Sequence, residues 1–290
     1  MNINDQQRVS IISEALPYLR EFRGKTFVIK YGGSSMVNEE IKQKVIEDIA
    51  LLHYAGVKVV LVHGGGPEIN QMLDRLNIKS QFKDGLRITN QETMEIVEMI
   101  LTGKVQKDLV AKLNKAGAKA IGICGKDANH MIAKKVEHPD IDLGLTGEIK
   151  KINPEILQVL MKEDYLPVIS SIAPDSNFIS HNINADNVAS EVAIALKAEK
   201  LIFLTDTAGV LEDSNNPNSL IQKLNIEKAL NLIDKGIING GMIPKVKNSI
   251  ECLNKGVHSV HILNGKYKHV LLLEIFTQSG VGTMISKNNK

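Results

Sequence analysis

The chain has 290 residues and a formal net charge of +2, with 43% apolar and 23% charged residues, which is ordinary globular usage for one large domain or two lobes. Its 22 Gly and 8 Pro exclude a collagen-like or Pro/Gly-rich disordered chain. A charge near zero offers no general attraction to nucleic acid or membrane, and 4% aromatics without Trp argue against a stacking platform for single strands.

The first amphipathic stretch places Val9, Ile12, Leu16 and Leu19 at helical spacing, with Pro17 set to kink or break it. It is either a helix packed on its own domain or a docking helix for another subunit. Thr26 to Tyr31 reads as a strand ending at Gly32-Gly33, and residues 38–55 carry Ile41, Val45, Ile49 and Leu52 on one helical side. Val57 to Val62, interrupted only by Lys58, reads as a strand buried on both faces. It stops at His63-Gly64-Gly65-Gly66-Pro67, and Pro67 suits the first turn of a helix to about residue 76. One long helix is expected over about 91–115 and a strand over 119–124. The turn-rich stretch 126–151 predicts hairpins projecting from the sheet.

The second half continues in the same style. Leu166 to Ser171 and Leu201 to Leu204 are strand-like, with a helix over 186–196 between them. Residues 213–219 form an exposed loop; helices follow at about 225–235 and 242–255, a strand at 258–263 and a helix near 268–276. Strands alternating with helices predict an α/β fold around an open, mainly parallel sheet. Cys124 and Cys252 sit in apolar segments without a CxxC pair and read as inert core thiols. The longest apolar runs are too short to span a membrane, and the N-terminus has no signal-peptide pattern, so a soluble cytoplasmic protein is expected.

Familiar phosphate motifs are absent. Gly24-Lys25-Thr26 imitates the end of a P-loop, but Leu19 stands where its first Gly belongs, and no GxGxxG follows a strand. The glycine clusters nevertheless fall at strand carboxyl ends, where parallel sheets bind ligands. Lys30-Tyr31-Gly32-Gly33 is either a tight turn or an anion nest beside a lysine. His63-Gly64-Gly65-Gly66-Pro67 lets backbone approach a ligand at a helix N-terminus, with His63 more ordinary as a structural histidine. Arg87, in Asp84-Gly85-Leu86-Arg87, is equipped to grip a carboxylate. In His181 to Asp186, Asn184 suits a plain N-cap and Asp186 suits a metal or a lysine. Thr205 to Val210 follows a strand, and Gly240 to Lys245 adds a second lysine beside a Gly pair. Two lysines, an Arg, backbone nests and a carboxylate together suit phosphoryl transfer between anions.

Five of these motifs, Lys-Tyr-Gly-Gly at 30–33, Val-His-Gly-Gly-Gly-Pro at 62–67, Asp-Gly-Leu-Arg at 84–87, Asn-Ile-Asn-Ala-Asp at 182–186 and Gly-Gly-Met-Ile-Pro-Lys at 240–245, occur in the order of one family. Nearly the whole chain resembles the amino acid kinase family, in the branch that phosphorylates N-acetyl-L-glutamate in arginine biosynthesis. The resemblance implies an open sheet sandwiched between helices, an amino-acid lobe at 23–195 and an ATP lobe at 196–290 on the same sheet. It implies that Lys30 and Lys245 stabilise the transferring phosphoryl group and that Asp186 organises them. Gly65, Gly66, Arg87 and Asn182 would bind the amino acid; Gly33, Thr205, Asp206 and Gly209 would line ATP. Ser34-Ser35 departs from the Asn-Ala of close members, with little consequence for the chemistry.

The chain ends resemble the arginine-inhibited hexameric subgroup, trimers of dimers linked by a kinked N-terminal helix, here residues 1–22. Tyr18, Lys200, Glu274 and Gly280 fall at matching positions for an L-arginine site, Glu274 being otherwise a solvated helix residue. The implied reaction is attack of the substrate's γ-carboxylate on ATP. That carboxylate is ionised at pH 7, so no general base is needed. No dense carboxylate cluster marks a protein metal site, so Mg²⁺ is expected to ride on the nucleotide. The alternatives are a sister kinase for glutamate, aspartate or an aminoadipate derivative, and a non-catalytic sensor of arginine or a partner. Sister enzymes often add a further domain, for which no residues remain after Lys290; retention of both lysines argues against the sensor.

Overall fold

The apolar runs that end in glycine become neighbouring central strands. The computed structural model describes residues 4–36, 38–213, 216, 218–277 and 280–288. In chain order, α1 (Asp5–Phe22) leads to β1 (Thr26–Tyr31), a 3₁₀ turn (Gly33–Met36), α2 (Glu39–Tyr54), β2 (Lys58–His63) and α3 (Gly66–Arg75). A short hairpin, β3 (Phe82–Lys83) and β4 (Leu86–Arg87), precedes α4 (Gln91–Glu98), α5 (Gln106–Lys115) and β5 (Ala120–Ile123). Next come β6 (Met131–Lys135), β7 (Thr146–Ile152), α6 (Glu155–Lys162), β8 (Leu166–Ser170), β9 (Ile172–Pro174), β10 (Ser180–Ile183) and α7 (Ala185–Ala195). The remainder is β11 (Lys200–Thr205), β12 (Lys223–Asn225), α8 (Ile226–Asp234), α9 (Met242–Asn254), β13 (Ser259–Asn264), α10 (Val270–Ile275) and β14 (Thr283–Ser286).

Eight strands form one sheet in the order β12-β14-β13-β11-β1-β2-β8-β5. Its pairings are parallel except β13 with β14, so the expected mainly parallel α/β fold is present. β1 pairs with β2 on one side and β11 on the other. Chain order therefore reverses at β1, which opens a crevice at its carboxyl end. Strand alternation sends Phe27, Ile29, Leu61 and Ile202 to one face, packed with α2, α5 and α10. Val28, Val60, Val62 and Phe203 go to the other, against α7 and α9. Each such buried side chain stabilises the fold by about 1.5–3 kcal/mol, which holds the strand ends rigidly. Cys124 and Cys252 are buried free thiols, and burial pushes both up to about 11. Among the described residues, no helix is long and apolar enough to cross a membrane.

Several expectations change. The stretch 91–115 is not one α-helix, because a π-helical segment, Met99–Val105, joins α4 to α5. There the Thr102 hydroxyl donates to the Glu98 carbonyl at 2.7 Å, a side-chain bond that competes with the helical ladder. The hairpins of 126–151 do not stand alone: β6 and β7 join β10 and β9 in a second, four-stranded sheet. β12 and β14, three and four residues long, escaped the pattern because so few residues show no periodicity. The final helix is only Val270–Ile275. α1 runs unbroken through Pro17, with an N-terminal capping box from Asn4 and Gln7 and its C-terminal end held by buried Phe22. Pro removes one ladder bond, which those anchors outweigh. In the loop 213–219, Asp213, Asn216 and Asn218 are exposed as expected, while Ser214, Asn215 and Pro217 lie outside the described residues. So do Gln278 and Ser279, just before Gly280, and the side chains of Ile12, Ser34 and Ser35.

His63 ends β2 fully buried, its Nδ1 2.9 Å from the Gly64 carbonyl, and burial pulls its pKa down to about 4. The unfolded chain binds a proton at this position near pH 6.5 and the folded chain does not, so stability falls as pH drops from about 6.5 toward 4. Buried His130 and His261 act in the same direction. Urea unfolding at pH 7.5 and pH 5 should show a lower midpoint at pH 5, and His63→Gln should narrow the gap. An equal gap in the variant removes His63 from this account.

Candidate functional site

Lys30 near the end of β1, Asp186 in the first turn of α7 and Lys245 in the first turns of α9 converge at the crevice. Lys30 Nζ lies 2.9 Å from Asp186 Oδ1, and Lys245 Nζ lies 2.6 Å from Oδ2. One carboxylate thus holds two ammonium groups and leaves one net positive charge. Burial acts to raise the Asp186 pKa, but the two lysines outweigh it and keep the carboxyl below its usual range. Asn184 caps α7, accepting the Asp186 N–H at 2.8 Å, the plain N-cap role its position suggested. Lys245 also lies 5.9 Å from the Phe203 ring centroid.

Two clefts meet at this centre. The larger, about 550 Å³, is lined by Lys30, Gly32, Gly33, Lys245 and the segments after β11 and before α9. Gly33 has φ +78°, the left-handed region that favours glycine, and turns the chain back after β1. Thr205 is on the wall, but its hydroxyl accepts the Thr207 N–H at 3.1 Å and closes a local turn. Asp206 has Lys266 at 3.7 Å. Gly209 backs onto Thr283 of β14, whose hydroxyl accepts the Val210 N–H at 2.8 Å. A volume of this size suits a nucleotide.

The smaller cleft, about 270 Å³, contains Lys30, Gly65, Gly66, Arg87, Asn182 and Asp186. A Cβ at Gly65 would lie 2.7 Å from Leu101 Cδ2, so any side chain there would have to displace Leu101 of the π-helical segment. Gly66 begins α3 with open space beside it, at a helix N-terminus that favours anions. Arg87 is 7% exposed, and burial lowers its pKa. Its Nη2 donates to Asn70 Oδ1 at 2.7 Å, its Nη1 donates to Ser80 Oγ, and it lies 4.6 Å from the Phe82 ring centroid. Asn182 Nδ2 donates to Thr89 Oγ1 at 3.1 Å. Thr89 and Thr146 both donate to the Arg87 carbonyl, which ties the β4 arm to the second sheet.

Tyr18, Lys200, Glu274 and Gly280 form a separate cluster. Lys200 begins β11, about 17 Å along the strand from Thr205 at its other end. Glu274 is not the solvated residue its helical position permitted: its side chain is 5% exposed. Its Oε1 lies 2.7 Å from His261 Nδ1, and its Oε2 accepts the Val281 and Gly282 N–H groups at 2.8 and 3.1 Å. Burial acts to raise the Glu274 pKa, but these donors hold it below the usual range. Gly280, at φ +60°, lies against the same carboxylate. Lys200 Nζ stands 3.2 Å from His261 Nε2 and 5.0 Å from the Phe22 ring centroid; burial lowers its pKa. Tyr18 packs edge-on against Phe276, with centroids 6.3 Å apart.

Sequence reasoning missed Asn70, Ser80, Thr89, Thr146 and His261. These are isolated polar residues outside glycine motifs, and only tertiary contact gives them meaning. The one available signal was a polar residue inside an apolar strand, as with His261 in Ser259–Asn264.

Residues 25–264 match the family model described as the amino acid kinase family. The acetylglutamate kinase of Prochlorococcus marinus (strain MIT 9312) is 54% identical over 283 residues, covering 98% of this chain and 99% of that one. The acetylglutamate kinase of Thermosynechococcus vestitus (strain NIES-2133 / IAM M-273 / BP-1) is 50% identical over 287 residues, covering 99% and 97%. Among solved structures, N-acetylglutamate synthase from Neisseria gonorrhoeae, complexed with coenzyme A and N-acetyl-glutamate, is similar with a TM-score of 0.85 at 25% identity. That similarity covers 97% of this chain, which spans 64% of the synthase's length. The matched region holds both glycine turns, the two lysines and the aspartate between them, and on that ground the chain belongs to the amino acid kinase family.

Proposed function

We propose that this chain transfers the γ-phosphoryl group of ATP to the side-chain carboxylate of N-acetyl-L-glutamate, as an acetylglutamate kinase of arginine biosynthesis. The observation that carries the reading is the meeting of a nucleotide-sized cleft and a small cleft at Lys30, Asp186 and Lys245. The small cleft is lined by residues 30–186, and the larger one mainly by 204–245, which supports an amino-acid lobe at 23–195 and an ATP lobe at 196–290.

The small cleft's chemistry supports an acylated dianion. Among the described residues its only acidic wall residue is Asp186, already neutralised by two lysines. A free α-ammonium, as on glutamate or aspartate, finds no carboxylate there. An amide nitrogen needs none, while the two carboxylates of N-acetylglutamate meet Arg87 at one end and Lys30 at the other. The γ-carboxylate oxygen attacks the γ-phosphorus and the bond to the ADP oxygen breaks. The nucleophile is already ionised, so the protein supplies position and charge. Lys30 from the acceptor side and Lys245 from the nucleotide side stabilise the transferring group, and Asp186 keeps them apart and oriented. Mg²⁺ belongs to this reading as an ion carried on the phosphates, offsetting their charge; among the described residues no cluster of three His, Cys, Asp or Glu is placed to hold a metal.

The same reading includes feedback inhibition by L-arginine and assembly as a hexamer, a trimer of dimers. The support is the buried Glu274 carboxylate, linked through His261 and Lys200 to Phe22 of α1, and an N-terminal helix with Val9 63% and Leu16 49% exposed. That apolar surface is suited to an α1 from another dimer, and Glu274 to a guanidinium.

ADP release with N-acetylglutamate, compared with glutamate and aspartate, tests the substrate; equal rates on all three would sink it. Lys245→Ala should lower kcat by roughly 10²–10³-fold with little change in either KM. An unchanged kcat takes Lys245 out of the chemistry. Arg87→Lys should raise the KM for N-acetylglutamate and spare that for ATP, since lysine keeps the charge but loses the fork. Deleting residues 1–22 should leave an active dimer with weakened arginine inhibition, and Glu274→Gln should weaken inhibition within an intact hexamer. Light scattering and arginine titrations read both; a truncated protein that stays hexameric and fully sensitive returns α1 to its own subunit.

A further inference from the structure

Arg87 is a buried cation held by neutral groups. Among the described residues it has no carboxylate at ion-pair distance, although it is 7% exposed. Its Nη2 donates to Asn70 Oδ1 in α3 at 2.7 Å, and its Nη1 donates to Ser80 Oγ in the segment between α3 and β3. The Ser80 hydroxyl donates in turn to Asn70 Oδ1 at 3.3 Å. Two acceptors that close together must share the edge between the two Nη atoms, since acceptors on opposite sides of a guanidinium stand much farther apart. Phe82 covers one face at 4.6 Å from its ring centroid, and Thr89 and Thr146 fix the Arg87 carbonyl. The Nε edge, the other bidentate edge of the fork, is left for a carboxylate.

The choice of partner is chemically specific. An acid at either position would pair with a buried guanidinium and cancel its charge. Neutral oxygens hold the same geometry and leave the charge intact. Asn70 also lies on the helix that begins with Gly66, so one rigid element sets both the glycine turn and the guanidinium.

We propose that Asn70 and Ser80 are positioning residues for substrate recognition: together they fix the Nη edge of Arg87 with uncharged acceptors and reserve its Nε edge and its full charge for the substrate's carboxylate. This rests on Arg87 as the carboxylate anchor of the proposed kinase reaction, and the experiment separates the two. Steady-state kinetics with each substrate varied would compare Asn70→Asp, Ser80→Ala, Ser80→Thr and Arg87→Lys. Asn70→Asp should raise the KM for N-acetylglutamate by about 10-fold or more, because the introduced charge neutralises the fork and repels the substrate. The KM for ATP and the kcat at saturating N-acetylglutamate should change little. Ser80→Ala should raise the same KM about 3-fold, and Ser80→Thr, which restores a hydroxyl, should return it toward wild type. An N-acetylglutamate KM within twofold of wild type in Asn70→Asp overturns the inference, as does an equal rise in both KM values. If Asn70→Asp does not fold, the Ser80 pair decides alone: equal KM values in the alanine and threonine variants reject the proposal. If Arg87→Lys leaves the N-acetylglutamate KM unmoved, the anchor itself is rejected; if it raises that KM while the Asn70 and Ser80 variants do not, only their positioning role is.

Discussion

Two ammonium groups brought to one point repel each other, and the site depends on the single carboxylate that makes their approach possible. Asp186 stands between Lys30 and Lys245 at 2.9 and 2.6 Å, taken from three distant parts of the chain. Its ionised form persists despite burial because both lysines favour it. The fold is arranged to deliver these three groups to the end of β1. Parallel strands on both sides of β1 open a crevice there, and α7 and α9 enter it by their N-terminal turns.

Around that centre the wall charges fit two anionic ligands. The small cleft offers Arg87 and Lys30 with Asp186 already paired, and the large cleft adds Lys245 and glycine backbone. A reaction between a carboxylate and a triphosphate is opposed chiefly by repulsion, so preset positive charge at the meeting point acts where the barrier lies. Backbone closeness does the rest. Gly65 leaves room for Leu101, which lies in the π-helical segment between α4 and α5.

The Lys200–His261–Glu274 chain lies at the other end of β11 from Thr205. A rigid strand thus joins the two regions, and α1 covers the remote one through Phe22 and Tyr18. Buried ionisable groups that satisfy one another are sensitive to a new charged neighbour, because each already sits in a desolvated position.

Local chemistry made a good part of this legible from residues alone. Apolar runs ending in glycine specified β1 and β2, since a strand buried on both faces has no alternation to lose. Gly33 and Gly65 were readable because a turn or a close approach disfavours a side chain, Gly66 because it opens a helix, and Lys30 and Lys245 because each closes or adjoins a motif with a glycine pair. The resemblance to a kinase family then gave Asp186 its partners. Only the tertiary structure decided the rest. Asn70, Ser80 and Thr146 are common polar residues whose meaning comes from the cation they face. The burial of Glu274 depends on β13 and on backbone donors from 281 and 282. The second sheet and the short β12 and β14 arise from pairings between remote segments, too brief to leave a period. Residue type and spacing determine what a chain is able to bind and where its strands begin; long-range packing decides which charges lose their water and which neighbour compensates them.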